Sequence, residues 1–420
     1  MTSGARRVIR VYLTLTLLST LATSFIFGVN TLFLLDAGLS NSGAFAANAA
    51  FTAGQVIFEI PTGVVADTRG RRTSYLLGAG TLLAATLLYV AMWQIEAPFW
   101  AWALSSIVIG LGFTFFSGAV EAWLVDALLD HDYEGDLESV FSRSQVIAGI
   151  AMLVGSVSGG LIAQFTNLGV PYLLRALLLV AVFAVAFFEM KDEGFTPHHG
   201  RGPIDEIQTV VGAALDAGWR NPPIRWLMVA APFTFGAGIF AFYAMQPYLL
   251  ELYGDENAFG IAGLAAAIVA GAQIVGALLV PRLRLLFKRR TDALLAAIGV
   301  SVLVLIALGL VSNFWVALVL ISIWGLAFAA STPVRQAYVN GLIPSEQRAT
   351  VLSFDALMGS AGGVVAQPAL GRVADVSGFG AAYGVSGLVT ALALPFYVLA
   401  RREHAVSDPI EEPAPEPALV

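Results

Sequence analysis

The segment GVVADTRGRR, residues 63–72, places four charged side chains within ten residues, those of Asp67, Arg69, Arg71 and Arg72. On either side runs an apolar stretch of about 20 residues, the length that a helix needs to cross the ~30 Å hydrocarbon core of a bilayer. The pattern predicts a short charged loop between two membrane-spanning helices. It also raises the question of what a carboxylate does among three arginines.

The whole chain has the composition of a membrane protein. Of its 420 residues, 58% are hydrophobic and only 12% are charged, and the mean hydropathy is +0.79. A soluble domain carries about 25% charged residues. The sequence contains no cysteine, which excludes disulfides, thiolate metal sites and cysteine nucleophiles. The net charge of −7 combines acidic and basic segments, and no basic patch for nucleic acid is visible.

Twelve apolar stretches are long enough to span a bilayer, which predicts an all-α polytopic membrane protein with twelve transmembrane helices. They run approximately over residues 8–35, 44–66, 73–93, 99–128, 140–165, 170–190, 225–252, 258–287, 293–311, 314–340, 350–373 and 381–400. We number these stretches as spans 1 to 12.

Lysine and arginine set the expected orientation, because loops rich in these residues stay in the cytoplasm. With the N-terminus in the cytoplasm, only Arg372 falls in an outside segment, while Arg175 and Arg335 fall within spans. The sequence therefore predicts cytoplasmic N- and C-termini in a multi-pass protein of the inner (plasma) membrane. Lys191 and Lys288 are the only lysines, a usage typical of a GC-rich bacterial genome.

The chain repeats itself at about half its length. The matched segments are FIFGVNTLFLLD (25–36) with FAFYAMQPYLLE (240–251), QVIFEIPTGVVADTRGRRT (55–73) with QIVGALLVPRLRLLFKRRT (273–291), SGAVE (117–121) with STPVR (331–335), and SVFSRS (139–144) with TVLSFD (350–355). Four matches in order predict two pseudo-symmetric six-helix bundles. In transporters built from parallel repeats, the substrate binds between the repeats near the bilayer midplane.

The repeat divides the chain into four parts. They are an N-terminal half (1–190), a cytoplasmic linker (191–224), a C-terminal half (225–402) and an acidic tail (403–420). Within the linker, apolar residues recur at helical spacing between 204 and 219, which predicts a short amphipathic helix at the membrane surface. The tail is rich in proline and glutamate, so we expect it to be disordered.

The loop between spans 2 and 3 has the spacing G-x-x-x-D-x-x-G-R-R and resembles the signature loop of the major facilitator superfamily. A degraded copy, at residues 288–290, lies between spans 8 and 9. With twelve spans, two halves and a long central loop, the resemblance covers nearly the whole chain. It implies a bacterial secondary transporter of the efflux type that works by alternating access.

For the loop residues, the resemblance implies a conformational latch. Asp67 would face the N-terminus of span 11, near residues 347–350, where a carboxylate meets free backbone N–H groups. Arg71 or Arg72 would reach Asp126 at the cytoplasmic end of span 4. The latch would hold the two halves together while the transporter faces outward.

The glycines of this loop, Gly63 and Gly70, would permit close helix contact and a tight turn. A plainer alternative is that the arginines only satisfy the positive-inside rule. That rule asks for neither an aspartate nor a glycine, so it accounts for Arg69 and Arg72 but not for Asp67.

Two positions depart from the antiporter branch of the family. That branch carries an arginine in span 4, four residues before G-x-G, where this chain has Ser106. It also carries a proline in the G-P-x-x-G-G of span 5, where this chain has Ser156. The resemblance therefore extends to the superfamily and not to its typical proton–drug antiporter branch.

Ionisable side chains within spans need a reason, because each costs about 2.5–3.5 kcal/mol at mid-membrane. The repeat places Glu121 and Arg335 at equivalent positions, so we expect an ion pair when the cytoplasmic side is closed, either a switch or a static pair. Asp355 is the first candidate for a proton site and Glu121 the second. The alternative for Asp355 is a structural carboxylate near Arg335 or Arg143. Arg175 is expected to snorkel towards water.

Polar residues on six spans are the candidates for the substrate cavity: Asn30, Gln55, Ser117, Tyr243, Gln246, Gln273 and Gln336. Amides beside aromatic rings suit a medium-sized amphipathic organic molecule better than a sugar or an inorganic ion. The sequence has no concentrated basic cluster for a phosphate.

These features favour a proton-coupled exporter of a drug-like compound or metabolite, acting as a monomer without cofactor or metal. A nutrient-uptake symporter or an uncoupled facilitator is the alternative within transport. A membrane sensor would need a larger soluble domain, and an enzyme would need a catalytic cluster, whereas the four histidines lie in loops without ligand spacing. No P-loop is present, so ATP is not indicated as the energy source.

Overall fold

The computed structural model describes residues 2–116, 118–195, 212, 218–343 and 348–410. Over these residues the chain folds into fourteen α-helices, which confirms the predicted all-α fold. The N-terminal half contains α1 (Ser3–Phe27), α2 (Asn30–Asp36), α3 (Asn41–Arg69), α4 (Arg71–Gln94), α5 (Phe99–Phe116), α6 (Ala119–Asp130), α7 (Leu137–Phe165) and α8 (Gly169–Glu189). The C-terminal half contains α9 (Pro222–Tyr253), α10 (Phe259–Leu286), α11 (Arg290–Leu308), α12 (Phe314–Asn340), α13 (Arg348–Ala391) and α14 (Leu394–Arg402).

The twelve predicted spans are confirmed. Eleven helical segments of the described chain are long and apolar enough to cross a membrane, and the last of them, Val351–Arg402, holds two spans. The backbone leaves the helical conformation at Gly378, with φ +82° and ψ 166°, a region that glycine adopts without a steric penalty. Span 4 is similarly divided at Gly118, where φ is +68°.

The two halves meet through pairs of equivalent helices. Span 2 (α3) packs against span 11 (α13), and span 5 (α7) packs against span 8 (α10). Spans 2 and 8 are repeat-equivalent, as are spans 5 and 11, so the structure makes the same contact twice. Because the repeat duplicates one helix–helix contact, the same type of contact occurs twice in the interface between the halves.

Hydrogen bonds between the halves are concentrated at one side of the bundle. We call the side that carries both chain ends the terminal side and the opposite side the far side. Within the described residues, every hydrogen bond between the halves lies on the far side and involves Thr31, Asn41, Ser42, Gln164, Tyr243, Gln246, Gly260, Asp375 or the Phe27 carbonyl. No ion pair among the described residues joins the halves. The far side is thus closed.

Glycine allows the backbones of spans 1, 5 and 8 to touch at this closure. A Cβ atom on Gly263 would lie 2.5 Å from the Ser156 carbonyl oxygen, and one on Gly28 would lie 2.8 Å from the Gly263 Cα. Neither neighbour is a side chain that can move aside. Gly263 therefore marks one of the tightest backbone contacts described between spans 5 and 8, together with Gly160, where an added Cβ would lie 2.5 Å from the Phe259 carbonyl oxygen.

The predicted linker helix falls on residues 204–219, nearly all of which lie outside the described residues. The tail differs from the expectation of disorder over its first part, residues 403–410, while 411–420 lie outside the described residues. Asp408 is 2% exposed and accepts hydrogen bonds from the Thr291 N–H (2.9 Å) and hydroxyl (3.0 Å). The reason is that the first turn of α11 has free N–H groups, which the Asp408 carboxylate satisfies.

Substitution of Gly263 by valine should open the far side, because the added side chain forces the backbones of spans 5 and 8 apart. The matched control is Gly271→Val on the same helix, where no atom lies within 4 Å of the added Cβ. With Thr23→Cys as a reporter in a chain that has no native cysteine, labelling by an impermeant maleimide from the far side should accelerate about tenfold, a shift of ~1.4 kcal/mol. Equal labelling in the two valine variants would contradict the assigned closure.

Candidate substrate cavities and gating residues

The charged loop at residues 63–72 forms a charge network on the terminal side. Asp67 lies in the last turn of α3, four residues before Arg71 begins α4, and the Arg71 guanidinium donates a hydrogen bond from Nη1 to Asp67 Oδ1. The Arg71 Nε lies 3.8 Å from Asp126 Oδ2. The structure therefore brings Asp67, Arg71 and Asp126 together, all within the N-terminal half.

Arg72 has a different set of contacts. Its backbone N–H donates to Asp192 Oδ1 at 2.9 Å, and its guanidinium donates to the Phe187 carbonyl at 2.8 Å and lies 5.2 Å from the centre of that ring. Arg72 thus ties the loop to the end of span 6 and does not reach Asp126. Arg71 or Arg72 was expected to contact Asp126, and in this conformation the arginine near Asp126 is Arg71.

The two glycines of the loop differ in their surroundings. Gly70 has φ +101°, and a Cβ there would lie 2.5 Å from Asp192 Oδ2, so the turn requires glycine. Gly63 lies in the helix with no atom within 4 Å of an added Cβ, so the close contact expected of it is not present here. The partner expected for Asp67 is the start of span 11, near residues 347–350, of which residue 347 lies outside the described residues. A latch across the two halves stays a prediction.

A cavity of about 740 Å³ lies in the C-terminal half, among spans 7, 9, 10, 11 and 12. Arg335 and Asp355 line it and pair through both guanidinium nitrogens, Nη1 to Oδ2 and Nη2 to Oδ1, the second at 2.6 Å. Asp355 is 7% exposed. This buried pair joins span 10 to span 11, and Gln336 lines the same cavity.

Arg335 is therefore occupied by Asp355 and not by Glu121 in this conformation. Glu121 is exposed and lies in the first turn of α6. The Glu121–Arg335 pair was expected for a bundle closed on the terminal side, whereas this one is closed on the far side. That pair stays a prediction for the other conformation.

A smaller cavity, of about 230 Å³, lies in the N-terminal half and reaches span 7. Three of the predicted cavity residues line it, Asn30, Gln55 and Tyr243. The Tyr172 hydroxyl donates to Asn30 Oδ1 at 3.0 Å, and Asn30 Nδ2 donates to Asn48 Oδ1 at 2.9 Å. A chain of hydrogen bonds therefore runs along one wall of the cavity.

The expectation that Arg175 snorkels to water is wrong. Its side chain is 2% exposed and lines the smaller cavity. The Nε donates to Thr86 Oγ1 at 3.1 Å, and the guanidinium lies 5.7 Å from the centre of the Phe113 ring. A sequence signal for burial was available. Arg175 follows Tyr172 by three residues, which places both on the same buried face of α8.

Gln246 belongs to the closure of the far side and not to a cavity. Its side chain is fully buried, its Oε1 accepts from the Thr31 N–H at 2.9 Å, and its Nε2 donates to the Phe27 carbonyl at 2.9 Å. The helix of span 1 is broken between α1 and α2, which frees that carbonyl and that N–H. The amide of Gln246 satisfies both backbone groups. A side chain of the C-terminal half therefore supplies the hydrogen bonds that the break in span 1 leaves unmade.

The remaining cavity candidates divide as follows. Gln273 is half-buried and lines neither cavity, and Ser117 lies outside the described residues. Sequence reasoning missed Asn48, Tyr89 and Tyr172, since aromatic and amide residues on spans 2, 3 and 6 look the same whether they face lipid, a neighbour or a cavity. Among the described residues, no group of three or more acidic or histidine side chains is placed to hold a metal ion.

Twelve spans in two repeated bundles, with cavities of mixed apolar and polar lining and one side closed, define a polytopic membrane transporter. The family model described as Major Facilitator Superfamily matches residues 12–287 and 255–420, and the chain belongs to that superfamily. It is a transporter and not an enzyme.

Relatives and solved structures agree with this assignment. The uncharacterized MFS-type transporter YxaM of Bacillus subtilis (strain 168) is 21% identical over 362 residues, covering 82% of this chain and 84% of the relative. The crystal structure of the nucleoside transporter NupG superposes with a TM-score of 0.75 at 11% identity, covering 95% of this chain and 99% of that one. The POT family transporter PepTSo gives 0.71 at 13% identity, covering 96% and 99%. At these identities the structures share the fold alone.

The two glycines of the loop should respond oppositely to alanine. Gly70→Ala places a Cβ against Asp192 in a glycine-only backbone conformation, which should destabilise the protein by about 1–3 kcal/mol. Gly63→Ala, the matched control, adds a methyl group in open space within a helix and should be neutral or stabilising by up to about 1 kcal/mol. Thermal unfolding of the purified variants in detergent measures both. A Gly63→Ala variant that is the less stable of the two would contradict this assignment.

Gln246→Leu should destabilise the closed far side, because it leaves the Thr31 N–H and the Phe27 carbonyl unpaired. Each such group costs about 1–3 kcal/mol. Gln273→Leu, at a half-buried amide that lines neither cavity, is the control and should change stability by less than about 1 kcal/mol. The free energy of unfolding in detergent separates them, and equal effects would show that Gln246 does not hold the break in span 1.

Proposed function

We propose that this chain is a secondary active transporter that works by alternating access and exports a small amphipathic organic molecule in exchange for protons. The observation that carries this is the one-sided closure. Six hydrogen bonds between the halves lie on the far side, and the described residues show none on the terminal side. A carrier of this kind must be able to close on either side of a central site.

The terminal side is, in this proposal, the cytoplasmic side. The positive-inside distribution supports cytoplasmic N- and C-termini in the bacterial plasma membrane. The conformation would then be open to the cytoplasm, from which an exporter takes up its substrate. The proposal includes the four-part division at residues 190, 224 and 402, with a single chain as the transporting unit.

The chemistry of the cavities supports an amphipathic organic substrate. The larger cavity, at about 740 Å³, falls within the ~300–1,000 Å³ of typical small-molecule sites. It combines Trp324 and Phe328 with the polar Gln336 and the Arg335–Asp355 pair. Aromatic walls and a few fixed polar groups favour a molecule with an apolar body and polar substituents.

Proton coupling is assigned to Asp355, with Glu121 as the second candidate. Arg335 occupies both oxygens of Asp355, so a proton on that carboxylate would compete directly with the guanidinium. Release of Arg335 would free it to pair with Glu121 and close the terminal side. Closure would then be completed by the latch group, which consists of Gly63, Asp67, Gly70, Arg71, Arg72 and Asp126.

Uptake of a nutrient, by symport or by facilitated diffusion, is the competing function. It uses the same fold, cavities and closure, and differs only in the direction and in the driving force. A screen of labelled compounds in proteoliposomes of known orientation, with and without a pH gradient, distinguishes export by proton exchange, uptake by symport and facilitated diffusion. Accumulation against a gradient on the side from which protons enter supports export by exchange.

Asp355→Asn should uncouple transport from protons, because the amide cannot take up and release a proton in this pH range. We expect accumulation driven by a pH gradient to fall at least about tenfold, ~1.4 kcal/mol, while exchange of substrate across the membrane without a gradient continues. Asp292→Asn, which removes a partly exposed carboxylate paired with Arg401, is the control. Accumulation at the unmodified rate in Asp355→Asn rules this residue out, and the same measurement on Glu121→Gln then tests the second candidate.

A further inference from the structure

The smaller cavity contains a buried cation with no counter-charge among the described residues. Arg175 is 2% exposed, and the described residues offer its guanidinium a hydroxyl, from Thr86, and an aromatic face, from Phe113. Only the Nε–H has an acceptor there, so the terminal nitrogens Nη1 and Nη2 lack one within the described chain. Burying an unpaired charge costs several kcal/mol, and a hydroxyl and a ring offset only part of it.

The other half of the protein shows how such a charge is ordinarily neutralised. Arg335 also lines a cavity within a span, and Asp355 binds it through two oxygens. No carboxylate of the described chain does the same for Arg175. The two halves are repeats of one bundle, yet within the described residues one arginine has a carboxylate partner and the other has none.

A second donor, buried and unpaired, lies beside the same cavity. Asn48 is 6% exposed and lines the cavity, and its Nδ2 has no hydrogen-bond partner. Its Oδ1 is already used by Asn30, whose own Oδ1 accepts from Tyr172. The hydrogen-bond chain along this wall therefore ends in an unused N–H donor. A buried donor without a partner costs about 1–3 kcal/mol, and an acceptor from a ligand would remove that cost.

The remaining walls are apolar and largely aromatic. Phe27, Phe51, Phe113 and Tyr243 line the cavity with Ile26 and Ile109. Its volume of about 230 Å³ is below the ~300 Å³ at which sites for drug-sized ligands begin. The cavity therefore fits a small molecule with a planar apolar body and one acceptor-rich, negatively charged group.

We propose that this cavity binds the carboxylate of a small aromatic acid, with the carboxylate on Arg175 and Asn48 and the ring among the phenylalanines. The ligand carboxylate neutralises the Arg175 guanidinium, as Asp355 neutralises that of Arg335. This inference rests on the proposed transport function, because it takes the bound acid to be the transported substrate. The geometry of the site itself does not depend on the direction of transport or on proton coupling.

Calorimetric titration of the purified full-length protein tests the site directly. Benzoate is the probe, and benzamide is its neutral isostere. We expect benzoate to bind at least about tenfold more tightly than benzamide, because only benzoate supplies a charge for Arg175. Chloride and phosphate test whether any anion suffices, and neither should displace benzoate at equal concentration. No binding of benzoate, equal binding of benzamide, or displacement by the inorganic anions would overturn the proposal.

Two variants locate the site. Arg175→Gln removes the cation, and Asn48→Asp supplies a carboxylate of nearly the same shape within the cavity. Each should weaken benzoate binding at least about tenfold and leave benzamide unchanged. Arg372→Gln, at an exposed arginine of the C-terminal half, should leave both unchanged. The near-isosteric Asn48→Asp keeps the test decisive if Arg175→Gln does not fold. Unchanged benzoate affinity in Asn48→Asp would refute the assignment.

Binding and transport can fail separately. Benzoate that binds as described but no compound that crosses proteoliposomes would uphold the site and overturn the proposed function. Transport that shows no preference for anions, together with equal binding of benzoate and benzamide, would uphold the function and overturn the site.

Discussion

A backbone polar group inside a bilayer must find its hydrogen-bond partner within the protein, and the break in span 1 shows how much of this structure depends on that constraint. The break frees the Phe27 carbonyl and the Thr31 N–H, and the amide of Gln246 from the opposite half satisfies both. The two halves are held together where the helix is interrupted. Close backbone contact at Gly28 and Gly263 completes the closure. The break in the helix of span 1 is therefore also a point where the C-terminal half binds the N-terminal half.

The same requirement applies to charge, and the two halves meet it differently. Arg335 is neutralised by Asp355 inside the C-terminal bundle, while Arg175 in the N-terminal bundle has no carboxylate among the described residues. In this structure the paired arginine fits a role in gating and the unpaired one fits a role in binding.

Much of the fold could be predicted from the sequence, because spans of apolar residues and repeated segments are properties of the chain itself. The loop Asp67–Arg72 indicated the family, and the structure places Asp67, Arg71 and Asp126 in one network. The site was harder to predict. Three cavity candidates, Asn30, Gln55 and Tyr243, line one cavity, whereas Gln246 closes the far side and Gln273 lines neither cavity. A polar residue in a span must be buried from lipid, but its sequence position does not say against what.

The sequence by itself determined the number of spans, their division into two halves and the presence of a charged loop between spans 2 and 3, since hydrophobic length and repetition act along the chain. Only the tertiary structure decided that Arg335 pairs with Asp355, that Arg175 turns into a cavity and does not snorkel, and that Asp408 caps α11. The physical reason is that each of these depends on which of several chemically suitable partners packing brings within hydrogen-bond distance. In a bundle of twelve helices, that choice is made by the contacts between helices.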